Sequence, residues 1–236
     1  PCEHACPAGN PIQKMQALVE KGLFGEALRY LRAKNPFPGV TGRVCPHFCQ
    51  SKCNRGEFDS CVNTRALERA AHDLAPRGSA QFRRRPATGK RVAVIGGGVA
   101  GMNAAICCAD RGHSVVMYEK TGRLGGQALL SDPMWFKKEM KDYHEWLERQ
   151  VRGNGSIFVV TNTEATPELV SEINPDATIV AVGAKQIVPS IPGIEKAVMA
   201  FDVFGNEDRL GQRIVIIGGG DIGCELSIHL SERGHE

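Results

Sequence analysis

The sequence predicts an α-helical, cysteine-rich domain followed by an α/β region, which comprises a Rossmann-like domain and the start of a second Rossmann domain. Three observations support this prediction. Six of the nine cysteines lie within the first 61 residues, where apolar residues recur at helical spacing. From residue 91 onward, short apolar strands alternate with glycine turns and helices, as in a parallel sheet. The strand, glycine turn and helix of residues 91–112 recur at residues 212–234.

The helical domain is predicted to span residues 1–78. Its apolar positions recur at spacings of three and four between residues 10 and 34, the stretch "NPFPGVTG" breaks that pattern, and residues 63–74 resume it. Residues 79–90, rich in arginine and without periodicity, are predicted to be a linker.

Composition and charge narrow the classes of function. The chain has 42% hydrophobic and 23% charged residues, the apolar runs are short, and the first residues lack a signal-peptide pattern. We therefore expect a cytoplasmic protein without membrane insertion, a setting that disfavours stable disulfides. Residues 1–90 hold 15 basic against 7 acidic side chains, and residues 91–236 hold 14 against 19. No basic motif interleaved with aromatic residues is present, so nucleic acid is disfavoured, and an anionic cluster or an acidic partner is the better explanation.

The first glycine motif indicates a dinucleotide site in a domain predicted at residues 91–190. The motif places Gly96, Gly98 and Gly101 between a strand and a helix, and Glu119 closes the next strand. Glycines there permit a tight turn, close approach of the backbone to a pyrophosphate and close helix packing, and the carboxylate suits ribose hydroxyls. Residues 134–151 are predicted to form an amphipathic helix with an apolar stripe of Trp135, Phe136, Met140, Tyr143 and Leu147.

Two later segments favour FAD over nicotinamide at this first site. The stretch "KTGRLGGQ" follows Glu119, and a strand ends in Ala181-Val182-Gly183. This set resembles the FAD half of two-dinucleotide flavoproteins, although Val182 stands where a threonine is usual. The predicted contacts are Gly96, Gly98, Val99, Ala100, Gly101, Glu119, Lys120, Arg123, Leu124, Gly126, Gln127, Ala181 and Gly183.

The second glycine motif predicts a site for NADH or NADPH in a partial domain at residues 191–236. Its strand is expected in "RIVII", before the glycine turn. Because this unit lacks a full sheet, we expect the molecule to be longer than this sequence, and Cys2-x-x-x-Cys6-Pro resembles the tail of a ferredoxin motif whose first cysteines lie upstream. The predicted contacts are Gly218, Gly220, Asp221, Ile222, Gly223 and Glu225.

The cysteines of the first domain have three interpretations: a disulfide framework, a zinc site or an iron–sulfur cluster. In "GRVCPHFCQSKC", Cys45, Cys49 and Cys53 recur every four residues, so a helical turn there would place three sulfurs on one side. An odd cysteine count disfavours disulfides, and zinc ligand pairs are more often closer in sequence. An iron–sulfur cluster is favoured because clusters carry single electrons and flavins exchange pairs for single electrons. Cys107, Cys108 and Cys224, on the Rossmann helices, are expected to be inert core residues.

The stretches "CEHACPAGNPI", "NPFPGVTGRVCPHFCQSKCNRG" and "VNTRALERAA" resemble the N-terminal iron–sulfur domain of the glutamate synthase small (beta) subunit. The same domain occurs in dihydropyrimidine dehydrogenase and in the large subunit of NADH-dependent ferredoxin:NADP oxidoreductase. Residues 91–236 are similar to the FAD/NAD(P) module of that family and of the 2,4-dienoyl-CoA and enoate reductases, in particular through "GRLGGQ", "TPELV" and "PDATIVAVGA".

The resemblance implies two [4Fe–4S] clusters. Cys6, Cys45 and Cys49 would hold one, with Glu68 at the position of the family's fourth ligand. Cys2 and Cys53 would hold the other with two cysteines further upstream, whereas Cys61 falls where the family usually has proline.

These features together predict an NAD(P)H-linked flavin and iron–sulfur oxidoreductase. It would pass electrons between nicotinamide, FAD and [4Fe–4S] clusters, to or from a partner protein subunit. No catalytic side chain is predicted, because hydride transfer between nicotinamide and flavin depends on alignment rather than on an acid or base. The alternative is a non-catalytic electron-transfer or assembly subunit that binds FAD and a cluster without reacting with NAD(P)H; a zinc-stapled interaction domain is a third.

Overall fold

The computed structural model describes residues 1–76 and 85–236. Residues 79–84 of the predicted linker lie outside the described residues. Within the described ranges, no helix is both long and apolar enough to cross a membrane.

The N-terminal domain consists of short helices. They are α1 (Cys2–Ala5), α2 (Ile12–Glu20), α3 (Phe24–Arg32), α4 (Pro38–Val44) and α5 (Thr64–Asp73), with 3₁₀ turns at Gln50–Lys52 and Asn54–Glu57. The helical pattern of residues 10–34 is divided between α2 and α3 at Gly22, which has a φ of 70°. The stretch "NPFPGVTG" does not simply end the helical region, because Pro38 opens α4 at a position where a helix needs no N–H donor.

The core of this domain is formed by α2, α3 and α5. Its buried members are Met15, Leu18, Ala27, Leu31 and Ala71. Helix α5 begins after Asn63, whose side chain accepts a hydrogen bond from the Ala66 amide. Helix α4 crosses α5 closely at Gly42, where a Cβ atom would lie 2.8 Å from the Arg69 amide nitrogen. The bare glycine therefore sets the distance between these two helices.

The α/β domain contains a four-stranded parallel sheet in the order β3-β2-β1-β4. The strands are β1 (Arg91–Ile95), β2 (Ser114–Tyr118), β3 (Ile157–Val160) and β4 (Ala177–Val180). The helices between them are α6 (Val99–Asp110), α7 (Lys138–Arg152) and α8 (Pro167–Glu172), with 3₁₀ turns at Gly126–Ser131 and Trp135–Lys137. Strand β1 is flanked by β2 and β4, so the glycine turn after β1 lies at the point where the chain reverses direction across the sheet, the usual position of a nucleotide site.

Helices α6 and α7 cover one face of the sheet. Met102, Ala105 and Ile106 of α6 pack with Leu147 and Val151 of α7 against the buried strand residues. Two members of the predicted stripe, Trp135 and Phe136, belong to a 3₁₀ turn that precedes α7, and Trp135 is 71% exposed. Its indole nitrogen donates to Glu232 (2.6 Å), which offers this ring a partner outside the core.

The C-terminal region carries α9 (Ala200–Val203), α10 (Asp221–Glu232) and 3₁₀ turns at Ile194–Lys196 and Glu207–Arg209. The strand expected in "RIVII" is not formed, and Val215 is 90% exposed. A strand needs a neighbouring strand for its backbone hydrogen bonds. In the described residues, the backbone of this segment bonds only to Glu236, which accepts from the Ile214 amide and donates to the Gln212 carbonyl. The α-helical domain followed by an α/β Rossmann-like domain is confirmed, whereas the sheet of a second Rossmann unit is not present in the described residues.

Helix α7 joins the helical domain to the α/β domain. Arg43 of α4 pairs with Glu139 of α7 (Nε–Oε1, 3.1 Å), and the Phe37 ring lies 5.4 Å from that of Tyr143. The Arg32 guanidinium lies over the Trp146 ring, 5.0 Å from its centroid. These contacts place the end of α4, where Cys45 follows, on the same helix that supports α6.

Candidate functional site: two glycine turns and a cluster of thiols

The first glycine turn has the tight geometry that its sequence predicts. Gly96 has a φ of 104°, and a Cβ atom on Gly101 would lie 1.9 Å from the Gly96 carbonyl oxygen. Only glycine avoids that contact, so helix α6 can begin directly against β1. Gly98 is the N-cap of α6, with Val99 and Ala100 in its first turn. The first amide groups of α6 therefore face the turn, as an anionic pyrophosphate requires.

Three separate segments converge at this turn. The Gly125 amide donates to the Gly97 carbonyl (2.9 Å), and a Cβ atom on Gly126 would lie 2.9 Å from Gly98 Cα. The Ala181 amide donates to the Ile95 carbonyl (2.8 Å). The Gln127 side chain donates to the Ala184 carbonyl (2.6 Å), which ties the second segment to the third. The structure thus brings together the residues that the sequence placed around one cofactor.

Glu119 lies at the end of β2 and is only 7% exposed. One carboxylate oxygen accepts a hydrogen bond from the Gly97 amide (2.7 Å), and the other accepts from the Thr121 amide (2.8 Å). The carboxylate is therefore fixed beside the glycine turn, where the hydroxyls of a bound ribose would meet it.

The other predicted contacts of the first site differ in exposure. Leu124 is buried, and its Cδ2 would lie 2.4 Å from a Cβ atom on Gly97, so it packs beneath the turn. Lys120 and Arg123 are exposed. Gly183 is exposed too and has a φ of 78°. Leu124 thus supports the turn, whereas the two basic side chains, Lys120 and Arg123, are exposed to solvent and to a ligand.

The second glycine turn repeats the local geometry of the first. Gly218 has a φ of 110°, and a Cβ atom on Gly223 would lie 2.0 Å from the Gly218 carbonyl oxygen. Gly220 is the N-cap of α10, which begins with Asp221 and Ile222. A Cβ atom on Gly220 would meet nothing within 4 Å, so the space beside this turn is open. Glu225 forms an ion pair with Lys137 of the α/β domain.

Cys6, Cys45 and Cys49 lie close enough to interact electrostatically. The helical turn that would place Cys45, Cys49 and Cys53 on one side is not formed, because α4 ends at Val44 and only Gln50–Lys52 of this stretch forms a 3₁₀ turn. Partial burial raises the pKa of the Cys49 thiol, and the neighbouring Cys45 and Cys6 add to that effect, against a hydrogen bond from Thr64 that lowers it. A cationic metal centre would reverse this cost, because it stabilises thiolates.

Glu68 lies one helical turn beyond Thr64 on α5 and is only 6% exposed. Its carboxylate accepts hydrogen bonds from the side chains of Asn10 (3.1 Å), Asn35 (3.1 Å) and Thr41. Burial raises the pKa of Glu68, although these three donors lower it in part. The backbone nitrogen of Asn10 also lies 3.4 Å from Cys6 Sγ. Asn10 therefore links the Glu68 carboxylate to the thiols.

Polar atoms around these thiols are left without partners. Among residues 1–76 and 85–236, the Asn10 Oδ1 and His47 Nε2 atoms are buried and have no hydrogen-bond partner. His47 has a φ of 66°, a left-handed turn that folds the chain between Cys45 and Cys49. Across the same ranges, no three histidine, cysteine or carboxylate groups are arranged around one metal ion. Soft thiolates with unpaired polar neighbours fit a cluster of several irons, which spaces its sulfurs more widely than one ion does.

Cys53 interacts with a different set of neighbours. Backbone amides, the Val62 amide first among them, lower the pKa of the Cys53 thiol, and the Cys61 thiol lies within hydrogen-bonding range. Helix α1, which begins with Cys2, lies beside the 3₁₀ turn that precedes Cys53. The assignment of Cys2 and Cys53 to a second cluster, which the resemblance implies, stays a prediction.

The cysteines of the Rossmann helices and the hydrogen-bond donors around Glu68 differ from what the sequence predicts. Of the three cysteines expected in the Rossmann cores, Cys107 and Cys224 are exposed, and only Cys108 packs against the core. Sequence reasoning did not single out Asn10, Asn35 and Thr41. Each is a common polar residue with no recognisable spacing, and only the fold brings them to Glu68.

Comparison with known proteins supports both parts of the site. Residues 90–236 match the pyridine nucleotide-disulphide oxidoreductase family. Residues 1–79 match the family described as dihydropyrimidine dehydrogenase domain II, 4Fe-4S cluster. The predicted cofactors, namely FAD, a nicotinamide cofactor and a [4Fe–4S] cluster, are confirmed by these two matches.

Individual proteins similar to this chain are oxidoreductases of the same kind as the two matched families. The chain is 31% identical over 250 residues to the glutamate synthase [NADPH] small chain of Mycobacterium tuberculosis, covering 95% of this chain and 51% of that protein. It is 38% identical over 151 residues to the NADH oxidase of Thermoanaerobacter brockii, covering 61% of this chain and 23% of that protein. The structure of a 2-naphthoyl-CoA reductase complex is similar with a TM-score of 0.63 at 26% identity, covering 97% of this chain and 36% of that one.

The chain spans about half the length, or less, of these relatives. Its two matched regions nevertheless account for the glycine turns and for the thiol-bearing helical domain, and the suspected relationship to the glutamate synthase small subunit is confirmed. The chain therefore belongs to the pyridine nucleotide-disulphide oxidoreductase family, and its residues 1–79 add a match to a 4Fe-4S cluster domain.

Proposed function

We propose that this chain is the electron-transferring part of an NAD(P)H-linked flavin and iron–sulfur oxidoreductase. A bound FAD would supply the exchange of a hydride from reduced nicotinamide for the single electrons that clusters carry toward a partner subunit. The glutamate synthase small chain and the NADH oxidase among its relatives are named for nicotinamide chemistry. The substrate or protein that receives the electrons is outside this chain's matched regions.

The packing of α4 and α6 on α7 is the observation that carries this proposal. Helix α4 ends where Cys45 begins, and it is held to α7 by the Arg43–Glu139 pair. Tyr143 of α7 accepts a hydrogen bond from Asn103 of α6 (2.7 Å), and α6 starts at the flavin turn. The thiols and the flavin turn are therefore supported by one common helix, which would hold a cluster and a flavin at a fixed separation.

The chain's own residues have distinct tasks in this proposal. Backbone amides at Gly98 and Gly220 would bind the pyrophosphates of FAD and nicotinamide, and Glu119 would orient the FAD ribose. Cys6, Cys45, Cys49 and Glu68 would hold one cluster, and Cys2 and Cys53 would contribute to a second. We further propose domain limits of 1–78, 91–190 and 191–236, with residues 79–90 as the linker.

Anaerobic spectroscopy tests the proposal. The chain is purified without oxygen, its iron, acid-labile sulfide and flavin are measured, and NADH or NADPH is then added. Bleaching of the flavin absorbance followed by an electron paramagnetic resonance signal from a reduced cluster is expected. A Gly220→Ala variant serves as the matched control, since it should retain flavin and iron but respond more weakly to nicotinamide. If dithionite reduces the cofactors and neither nicotinamide does, the chain is the non-catalytic electron-transfer subunit instead.

A further inference from the structure

Cys61 has no role in either proposed cluster, yet the structure places it against Cys53. The Cys53 amide donates to the Gln50 carbonyl (3.1 Å), and the Cys61 thiol donates to the same oxygen (3.4 Å). The Cys61 thiol is also within hydrogen-bonding range of the Cys53 side chain. The Cys61 thiol and the Cys53 backbone amide therefore share one backbone acceptor, which brings the two residues together.

Gly56 makes room for this meeting. The chain turns back at Asn54–Glu57, where the Gly56 amide donates to the Cys53 carbonyl (3.0 Å). A Cβ atom on Gly56 would lie 2.7 Å from Cys61 Sγ. Any larger residue at this position would push the sulfur away, so the turn is shaped around the Cys61 side chain.

The pair is also accessible. Cys61 is exposed and Cys53 is half-buried. By contrast, Cys6, Cys45 and Cys49 influence one another electrostatically. An oxidant in solution can therefore reach Cys61 without first opening the helical core.

We propose that Cys53 and Cys61 are a site of reversible disulfide formation. With hydrogen peroxide as oxidant, the two thiols lose two protons and two electrons, one S–S bond forms, the O–O bond breaks, and two water molecules are released. Formation of the bond requires the two sulfurs to move from this contact to the bonding distance of about 2.05 Å. The site goes beyond the proposed oxidoreductase activity and does not depend on it.

The disulfide has a consequence for cluster assembly, and that consequence rests on the proposed role of Cys53. Iron is bound by thiolates, so a sulfur held in a disulfide is not available as a ligand. Oxidation of the iron-free protein would thus block the position of Cys53 until a thiol reductant restores it, whereas the ligands of the other proposed cluster would be unaffected.

Peptide mapping tests the proposal directly. Trypsin cleaves after Lys52, Arg55 and Arg65, which places Cys53 in "CNR" and Cys61 in "GEFDSCVNTR". The full chain, as purified and after removal of iron with a chelator, is treated with hydrogen peroxide, alkylated and digested. The two peptides linked by a disulfide are expected in the iron-free sample, and they should separate on treatment with dithiothreitol.

Two variants sharpen the test. Cys61→Ser should abolish the linked peptides, whereas Cys107→Ser, which removes a different exposed thiol, should leave them unchanged. A sample oxidised in urea shows how much linkage arises without the fold, and the native chain should exceed it several-fold. The proposal is overturned if both peptides are alkylated separately after oxidation, or if Cys53 is linked to another cysteine. If Cys61→Ser fails to fold, the presence or absence of the linked peptides in the oxidised wild-type chain tests the proposal by itself.

Discussion

Two substitutions in the first glycine turn separate the binding of FAD from the stability of the fold. At Gly98, φ is −72° and a Cβ atom would meet only Gly126 Cα, at 3.8 Å, which is ordinary contact. We expect Gly98→Ala to leave the free energy of unfolding of the flavin-free chain unchanged, or to raise it by about 0.4–1 kcal/mol because the unfolded chain loses freedom. At Gly101, the added atom would lie 1.9 Å from the Gly96 carbonyl oxygen. Gly101→Ala should therefore cost about 1–3 kcal/mol, as overpacking does elsewhere.

Although Gly98→Ala should not destabilise the fold, it should weaken the binding of FAD. The methyl group would stand where the pyrophosphate must approach the backbone, so the affinity for FAD should fall at least about tenfold, equivalent to about 1.4 kcal/mol. Urea unfolding of the flavin-free variants and titration with FAD measure the two quantities separately. The assignment of the flavin site is refuted if Gly98→Ala binds FAD as tightly as the wild type while unfolding normally.

Three further predictions follow from the same structure. Gly220→Ala, which meets no neighbour within 4 Å, should weaken nicotinamide binding in calorimetry while flavin content and unfolding stay unchanged; a loss of flavin instead would contradict the separation of the two sites. Glu139→Ala removes the pair with Arg43 and should slow cluster reduction in stopped-flow experiments, at a stability cost of at most about 1 kcal/mol for this partly exposed pair, with Glu139→Gln as the milder control; an unchanged rate would contradict the role given to α7. Burial alone would raise the pKa of Glu207, but the hydrogen bond from buried His229 lowers this pKa below its ordinary 4.5. The stability that the ionised carboxylate contributes is therefore present above pH 4.5 and is lost as the pH falls through the pKa of the folded state. Glu207→Gln should therefore unfold with a weaker dependence on pH below 4.5, and equal slopes in urea titrations would refute this.

The glycine turns were predictable because their chemistry is local. Whether Gly96, Gly98 and Gly101 can form the turn depends on a few neighbouring residues, and the strand and helix around them follow from periodicity. The same reasoning located α5 to within one residue of its observed start.

Features that depend on distant neighbours were not predictable in this way. Pro38 was interpreted as a break, although the contacts of α4 with α5 and α7 support a helix there. The "RIVII" segment has the composition of a strand, but composition does not supply a hydrogen-bonding neighbour. The donors around Glu68 come from three segments of the chain, so no window of sequence contains them. Glu68 itself was found only through the family resemblance.

The shared support on α7 also bears on the order of events during synthesis. The cysteines of the helical domain leave the ribosome well before Lys138, where α7 begins. Chains grow at about 5–20 residues per second and N-terminal domains fold first, so several seconds separate the two events. During that interval the surface of α4 that Glu139 and Tyr143 later cover is open. If the thiols bind iron as we propose, iron can reach them during this period, before the flavin-binding half closes against the finished helices.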